Sequence, residues 1–276
     1  MLGIIGGTGL NKIKNLVVDS EEKIDTPFGA MSAPVSICDV AGKKIAFLPR
    51  HGKDHAIPPH KINYRANLWG LHHLTVKDII SIATVGSIKQ DITAGMMVLP
   101  DQIIDYTYGR EHTFFDGVND ALEHIDFTYP FDTTLRTNLM NVTDNLPISL
   151  VSTGVYAAVQ GPRLETAAEI DRYEKDGATI VGMTCMPEAA LARELKIAYV
   201  ALCPVANQAA GRGSSSDGIS HQEITQQSKG MMDDVIQMIT SFEIYAPIIA
   251  FFFLLVFAFF FRKFLIFCNF KLPEKE

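Results

Sequence analysis

The sequence predicts an α/β protein: a largely parallel or mixed β-sheet covered by helices, followed by an apolar tail. Three observations predict it. Short β-branched runs alternate with helical patterns from residue 1 to about residue 242. Turns rich in glycine and small polar residues follow several of those runs, where open α/β sheets bind their ligands. Beyond Phe242 the composition shifts abruptly to an uncharged run, which separates a domain at 1–242 from a tail at 243–276.

Leu2–Ile5 reads as a buried strand entering the turn Gly6-Gly7-Thr8-Gly9. Lys44–Leu48 is the next clear strand and runs into Pro49-Arg50-His51-Gly52. Ile62–His72 has helical spacing. Asp78–Thr84 reads as a strand ending at Ala83-Thr84-Val85-Gly86-Ser87, and Met97–Leu99 and Ser149–Val155 as two more. Gln160-Gly161-Pro162-Arg163 leads into a helix at Glu165–Lys175. Thr179–Gly182 reads as a strand that ends at Met183-Thr184, before a helix at Pro187–Glu194. Ala198–Cys203 reads as a strand leading to a loop with Asn207, Gln208 and Ala209, and His221–Thr240 as the last helix of the domain.

The totals narrow the function classes. With 276 residues, 47% of them hydrophobic, the chain can bury a substantial core. A net charge of -7 argues against a nucleic-acid binder, which carries a basic excess. It leaves room for an anionic substrate, since a few local cations can hold phosphate in an acidic protein. Cys38, Cys185, Cys203 and Cys268 are widely spaced, so reduced cytosolic thiols are expected rather than a zinc knuckle or disulfide framework. The N-terminus lacks the pattern of a secretory signal.

The tail reads differently. Ala246–Phe261 carries no charge, Arg262 and Lys263 follow, and a second apolar run covers 264–270. Taken from 245 to 270 with the two cations snorkelling, it reaches the roughly 20 residues that span a bilayer. A membrane-associated apolar helix is the expectation; an interfacial segment and an extension from an altered reading frame are the alternatives.

Several residues could carry chemistry. Glycines let backbone N–H groups approach an anion, and Thr8 adds a hydroxyl, although the spacing is neither GxGxxG nor a Walker loop. Arg50 offers a planar fork for phosphate, and His51 can donate beside it. The bland alternatives are a tight turn, a surface arginine and a core histidine. His51, His55 and His60 are not expected to bind metal, because Pro58-Pro59 prevents a helix from aligning them. Thr8, Thr84 and Thr184 are small donors at separate strand ends, and could equally be ordinary strand residues. Glu165 could be a first-turn helix charge, and Asn207 simple turn chemistry.

In order along the chain, IIGGTGL, FLPRHG, PPHKINYRANLWGL, GREHTFFDG, GVYAAVQGPRLET, VGMTCMPEAALARE and ANQAAG resemble the trimeric purine nucleoside phosphorylase and methylthioadenosine phosphorylase family. The likeness is greatest to its bacterial S-methyl-5′-thioinosine phosphorylase branch, through PPHKINYRANLW, REHTFF and HIDFTYPFD. The resemblance implies a single α/β domain with a twisted mixed sheet, a cytoplasmic homotrimer, no cofactor, and inorganic phosphate as co-substrate. It places phosphate against Thr8, Arg50, His51, the Ala83-Thr84 backbone and Thr184. Met183 falls beside the ribose, and Glu165 and Asn207 at the base, with Gln208 and Ala209 alongside. Many relatives carry Thr or Asn where Ala83 stands, and the stretch Arg212–Asp217 looks slightly longer than in the thioinosine branch.

The implied reaction exchanges the C1′–N9 bond for a bond to phosphate through an oxocarbenium-like state. Arg50 and His51 would hold the dianion beneath the sugar. Asn207 would meet negative charge growing on N7; a charge-assisted bond of about 1.5–3 kcal/mol corresponds to about ten- to a hundred-fold in rate. An ionised Glu165 can accept N1–H of a 6-oxopurine, whereas adenine presents a bare N1 acceptor. A 6-oxopurine base is therefore expected, and the likeness to the thioinosine branch implies S-methyl-5′-thioinosine as the substrate. His221, where relatives meet a 5′-hydroxyl, keeps inosine and guanosine as the alternative, with methylthioadenosine after them. A catalytically silent, membrane-tethered nucleoside-binding module and a water-using nucleosidase are the competing classes.

Overall fold

The computed structural model describes residues 1–6, 17–40, 42–115, 117 and 122–242. Twelve strands and six helices follow in chain order among them. They are β1 (Leu2–Gly6), β2 (Val17–Glu22), β3 (Val35–Val40), β4 (Lys43–Pro49), α1 (Tyr64–His73), β5 (Asp78–Ile82), β6 (Val85–Ser87), β7 (Met97–Val98) and β8 (Gln102–Asp105). Then come α2 (Thr133–Thr143), β9 (Leu150–Val151), β10 (Val155–Ala158), α3 (Ala167–Lys175), β11 (Ile180–Gly182), α4 (Cys185–Glu194), β12 (Ala198–Gln208), α5 (His221–Gly230) and α6 (232–242).

All the strands join one mixed sheet in the order β2-β3-β4-β1-β5-β12-β6-β11-β10-β8, with β7 pairing β12 and β9. The centre, β4-β1-β5-β12, is parallel, so the carboxyl ends of these strands point the same way. Every residue of β1 is buried, as a strand flanked on both sides requires. Its alternate residues feed two cores. Ile5 packs with Leu48, Leu68 and Ala189 toward α1 and α4, while Ile4 packs with Leu139, Val235 and Met238 toward α2 and α6.

The structure departs from expectation in four instructive places. First, the stretch expected as one strand at Ser149–Val155 is two, β9 and β10, which pair different neighbours. Second, β12 runs on to Gln208, so Asn207 stands on a strand and not in a loop. The continuation is possible because β12 leaves β5 after Leu202 and pairs β6 from Val205, with a register shift before Asn207. Third, α3 starts after Thr166, whose hydroxyl and the Glu169 carboxylate form a reciprocal capping box. Glu165 therefore precedes the helix and is not a first-turn charge. Fourth, the last expected helix is broken at Met231, just after Gly230, a poor helix residue.

The turn from Gly7 to Gly9, with Thr8, and the whole tail at 243–276 lie outside the described residues. The expected apolar C-terminal helix lies there too. Among the described residues, no helix is long and apolar enough to cross a membrane.

Candidate active site

The parallel centre brings the ends of β1, β4 and β5 to one edge. The Arg50 N–H donates to Gly6 O at 3.0 Å, joining the ends of β4 and β1. β11 runs antiparallel to β6, and Gly182 at its end lies against Val85. Thr84 and Thr184 are thereby gathered at the same place. Asn207 pairs with Gly86 across β12 and β6. Arg50, Thr84, Thr184 and Asn207 thus surround the break between β5 and β6, from four separate stretches of chain.

Arg50 is almost fully buried, at 2% exposure, and Glu188 at 1% is its partner. Nε donates to Glu188 Oε2 at 2.9 Å and Nη2 to Oε1 at 2.8 Å. Nη2 also donates to Ser81 Oγ at 2.5 Å, and Nη1 to Ile82 O at 2.9 Å. Glu188 accepts further bonds from Ser81 Oγ at 2.6 Å and Tyr199 Oη at 2.9 Å. Burial alone would lower the arginine's pKa, but the Glu188 charge and hydrogen bonds raise it on balance. A guanidinium has five N–H groups, and these bonds take four. Among the described residues one Nη1 hydrogen has no partner and could serve a ligand. The pair aims the fork and neutralises most of its charge.

His51 is set opposite to its expected role. Its Nδ1 lies 2.8 Å from Ile57 O. Burial, then the Arg50 charge, lowers its pKa to about 4, so the ring is neutral near pH 7. A neutral ring facing a carbonyl donates Nδ1–H, which leaves Nε2 as an acceptor. The His55 ring packs against it at 4.4 Å.

Thr184 is buried and caps α4 at its N-terminus without using its hydroxyl on the helix. Its N–H points to Tyr156 Oη at 3.4 Å. Met186 has extended backbone angles (φ -114°, ψ 134°), so the hydroxyl stands on a turn just ahead of the continuous part of α4. The Ala83 N–H is committed to Leu202 O at 3.1 Å, so of that backbone pair Thr84 is the one left exposed.

Met183 lines the turn between β11 and α4, against Gly161. A side chain on Gly161, which has a φ of +61°, would strike the Met183 sulfur. This contact packs the loop that leads to Glu165 against Met183. Glu165 lines a cavity of about 370 Å³ with Leu164, Ala210, Ser215, Asp217 and Ile219. That volume suits a small ligand. Arg50, Thr184 and Asn207 lie outside its lining. Burial raises the pKa of Glu165, and the neighbouring Glu169 adds to the rise.

Asn207 Nδ2 donates to Gln208 O at 2.6 Å, which leaves its second amide hydrogen free to serve a base. Gln208 is buried, and its amide is used inside the protein. Oε1 accepts from Ser214 N at 3.0 Å, and Nε2 reaches Gln90 O at 3.5 Å. Ala209 N–H donates to Ser87 O at 2.7 Å. His221 opens α5, and its side chain lies outside the described residues. Glu188, Ser81 and Arg110 are the site residues that sequence reasoning passed over. The one signal was an acid inside an otherwise apolar helix, MPEAALA.

The sequence profile of the Phosphorylase superfamily matches residues 1–241. A probable S-methyl-5′-thioinosine phosphorylase of Pseudomonas syringae pv. tomato is 46% identical over 212 residues, covering 77% of this chain and 86% of the relative. A 6-oxopurine nucleoside phosphorylase of Pyrococcus furiosus is 40% identical over 243 residues, covering 86% and 90%. Among solved structures, methylthioadenosine phosphorylase from Schistosoma mansoni in complex with adenine superposes with a TM-score of 0.82 at 28% identity, covering 90% of this chain and 92% of that one. With a matching fold and a family profile spanning nearly the whole described chain, this protein belongs to the phosphorylase superfamily.

Proposed function

We propose that the chain is a pentosyltransferase that cleaves a 6-oxopurine nucleoside with phosphate. Its expected reaction converts S-methyl-5′-thioinosine and phosphate to hypoxanthine and 5-methylthioribose 1-phosphate, in purine salvage. The observation that carries this reading is the identity of two residues, the acid Glu165 beside the cavity and the amide Asn207 near the end of β12. Above its pKa the Glu165 carboxylate accepts N1–H of the oxopurine. The free amide hydrogen of Asn207 meets the charge that develops on N7 as the bond to the sugar breaks.

At the other end, the remaining Nη1 hydrogen of Arg50 and the hydroxyls of Thr84 and Thr184 hold the phosphate, with Thr8 completing the set. His51 takes the hydrogen of the P–OH group on its free Nε2, and so selects the HPO4 dianion by accepting rather than donating. Orientation of that dianion under C1′ is the main contribution of these groups. No cofactor is needed.

The names of the relatives, thioinosine and 6-oxopurine phosphorylases, support the base choice. A general inosine and guanosine phosphorylase is the second reading, favoured by His221 at the start of α5. The test is kcat/KM for methylthioinosine, inosine and methylthioadenosine in phosphate buffer. Methylthioinosine should lead; methylthioadenosine in first place would contradict the reading. The active form is proposed to be a cytoplasmic homotrimer. The uncharged run at 246–261 supports membrane association through the tail. Full-length protein recovered without detergent from the soluble fraction would contradict that.

A further inference from the structure

The structure assigns to Arg110 the positioning of the two halves of the site against each other, with its charge set beside Thr184. Arg110 is 8% exposed and forms no ion pair among the described residues. Its partners are uncharged oxygens from both halves. Nη1 donates to Met183 O at 2.8 Å and Met186 O at 2.6 Å, the carbonyls that flank the Thr184-Cys185 pair at the start of α4. Nη2 donates to Val159 O at 3.1 Å and Gln160 O at 2.8 Å, at the root of the loop that carries Glu165. Nε reaches Gln160 Oε1 at 3.2 Å, and Tyr64 holds the guanidinium from the remaining side, with Oη at 3.2 Å and the ring centroid at 5.6 Å.

This environment differs in kind from that of Arg50. Glu188 is in direct contact with Arg50, whereas among the described residues Arg110 has no carboxylate in ion-pair contact. A buried guanidinium without a counter-ion is costly unless an anion shares its surroundings when the protein works. Its position behind the Thr184 turn puts that charge at the phosphate end. Its fork geometry also matters, because an ammonium has three donors on one atom and cannot reach both loops at once. Arg110 therefore acts through the residues it holds, and through its field.

This inference rests on the phosphorolytic reading, and the experiment separates the two. Full-length wild type, Arg110→Lys and Arg110→Gln are compared by steady-state kinetics with phosphate and methylthioinosine each varied, and by thermal unfolding. The glutamine variant should raise KM for phosphate by about tenfold or more, the scale of a lost electrostatic donor. The lysine variant keeps the charge but not the fork. Its phosphate KM should stay within about threefold of wild type while kcat falls by about tenfold. A phosphate KM unchanged in the glutamine variant, or equal in both variants, would overturn the assignment, as would an undiminished kcat in the lysine variant. Should the glutamine variant fail to fold, the lysine variant decides by its split between kcat and KM. Wild type without phosphate-dependent turnover would overturn the phosphorolytic reading itself; active wild type with unaffected variants would overturn the role of Arg110 alone.

Discussion

The two ends of the site are built from different materials. The proposed phosphate end rests on a closed, buried network: Arg50, Glu188, Ser81 and Tyr199 exchange hydrogen bonds at 2.5–2.9 Å between the central strands and the first turn of α4. The proposed base end joins Asn207 on β12 to a cavity walled by the loop at 164–165 and the stretch 210–219, much of it exposed. The contrast teaches where each property resides. Chemistry common to every substrate is placed on groups that cannot move without disrupting the core. Choice of base is left to side chains on loops, which can be exchanged at small structural cost.

Breaking the buried end should have the largest effect. Glu188→Gln leaves the Arg50 charge uncompensated in the interior, and should cost about 3–5 kcal/mol of stability along with most activity. Urea unfolding measures it; a midpoint like that of wild type would show that the pair does not carry the phosphate end. At the base end, Glu165→Gln should lower kcat/KM for methylthioinosine by about ten- to a hundred-fold, the worth of one charge-assisted bond. Its unfolding midpoint should not change, and a midpoint that drops as far as that of the Glu188 variant would erase the contrast. Asn207→Asp should move the ratio of adenine to hypoxanthine nucleoside activity upward by about tenfold, since a carboxylate favours a base edge that donates. An unchanged ratio would remove Asn207 from the base.

The smallest effect expected is on the pH dependence of stability. His51 titrates near 4 in the fold against an ordinary value of 6.5. As pH falls through that window, the unfolded chain takes the proton first, so His51 favours folding above about 6.5 and loses that contribution toward 4. Melting temperature between pH 7 and 4.5 should therefore fall more steeply for wild type than for His51→Gln. Equal slopes would mean that the ring is not held neutral.

Much of the fold was legible because strong patterns coincide with buried strands. LGIIG and IAFLP, both uninterrupted and apolar, fall in β1 and β4 at the sheet centre. The hairpin β2-β3 was not legible, because VVDSEE is a polar edge strand without alternation. Nor was α2, whose TTLRTNLMNVT is poor in helix formers and starts from an Asp132 cap. The site residues could be named from the motifs, but their roles depend on partners far away in sequence. Arg50 looked like an open phosphate fork until Glu188, 138 residues later, was found on two of its nitrogens. His51 looked like a donor until the Ile57 carbonyl fixed its tautomer. Gln208 looked available until Ser214 and Gln90 were seen to hold its amide.

The central claim is that an anion, and not water, accepts the sugar. It is tested most directly by following methylthioinosine cleavage with and without phosphate and identifying both products. Hypoxanthine should be released only when phosphate is present, matched one for one by methylthioribose 1-phosphate. Equal hypoxanthine release in phosphate-free buffer, accompanied by free methylthioribose, would contradict it.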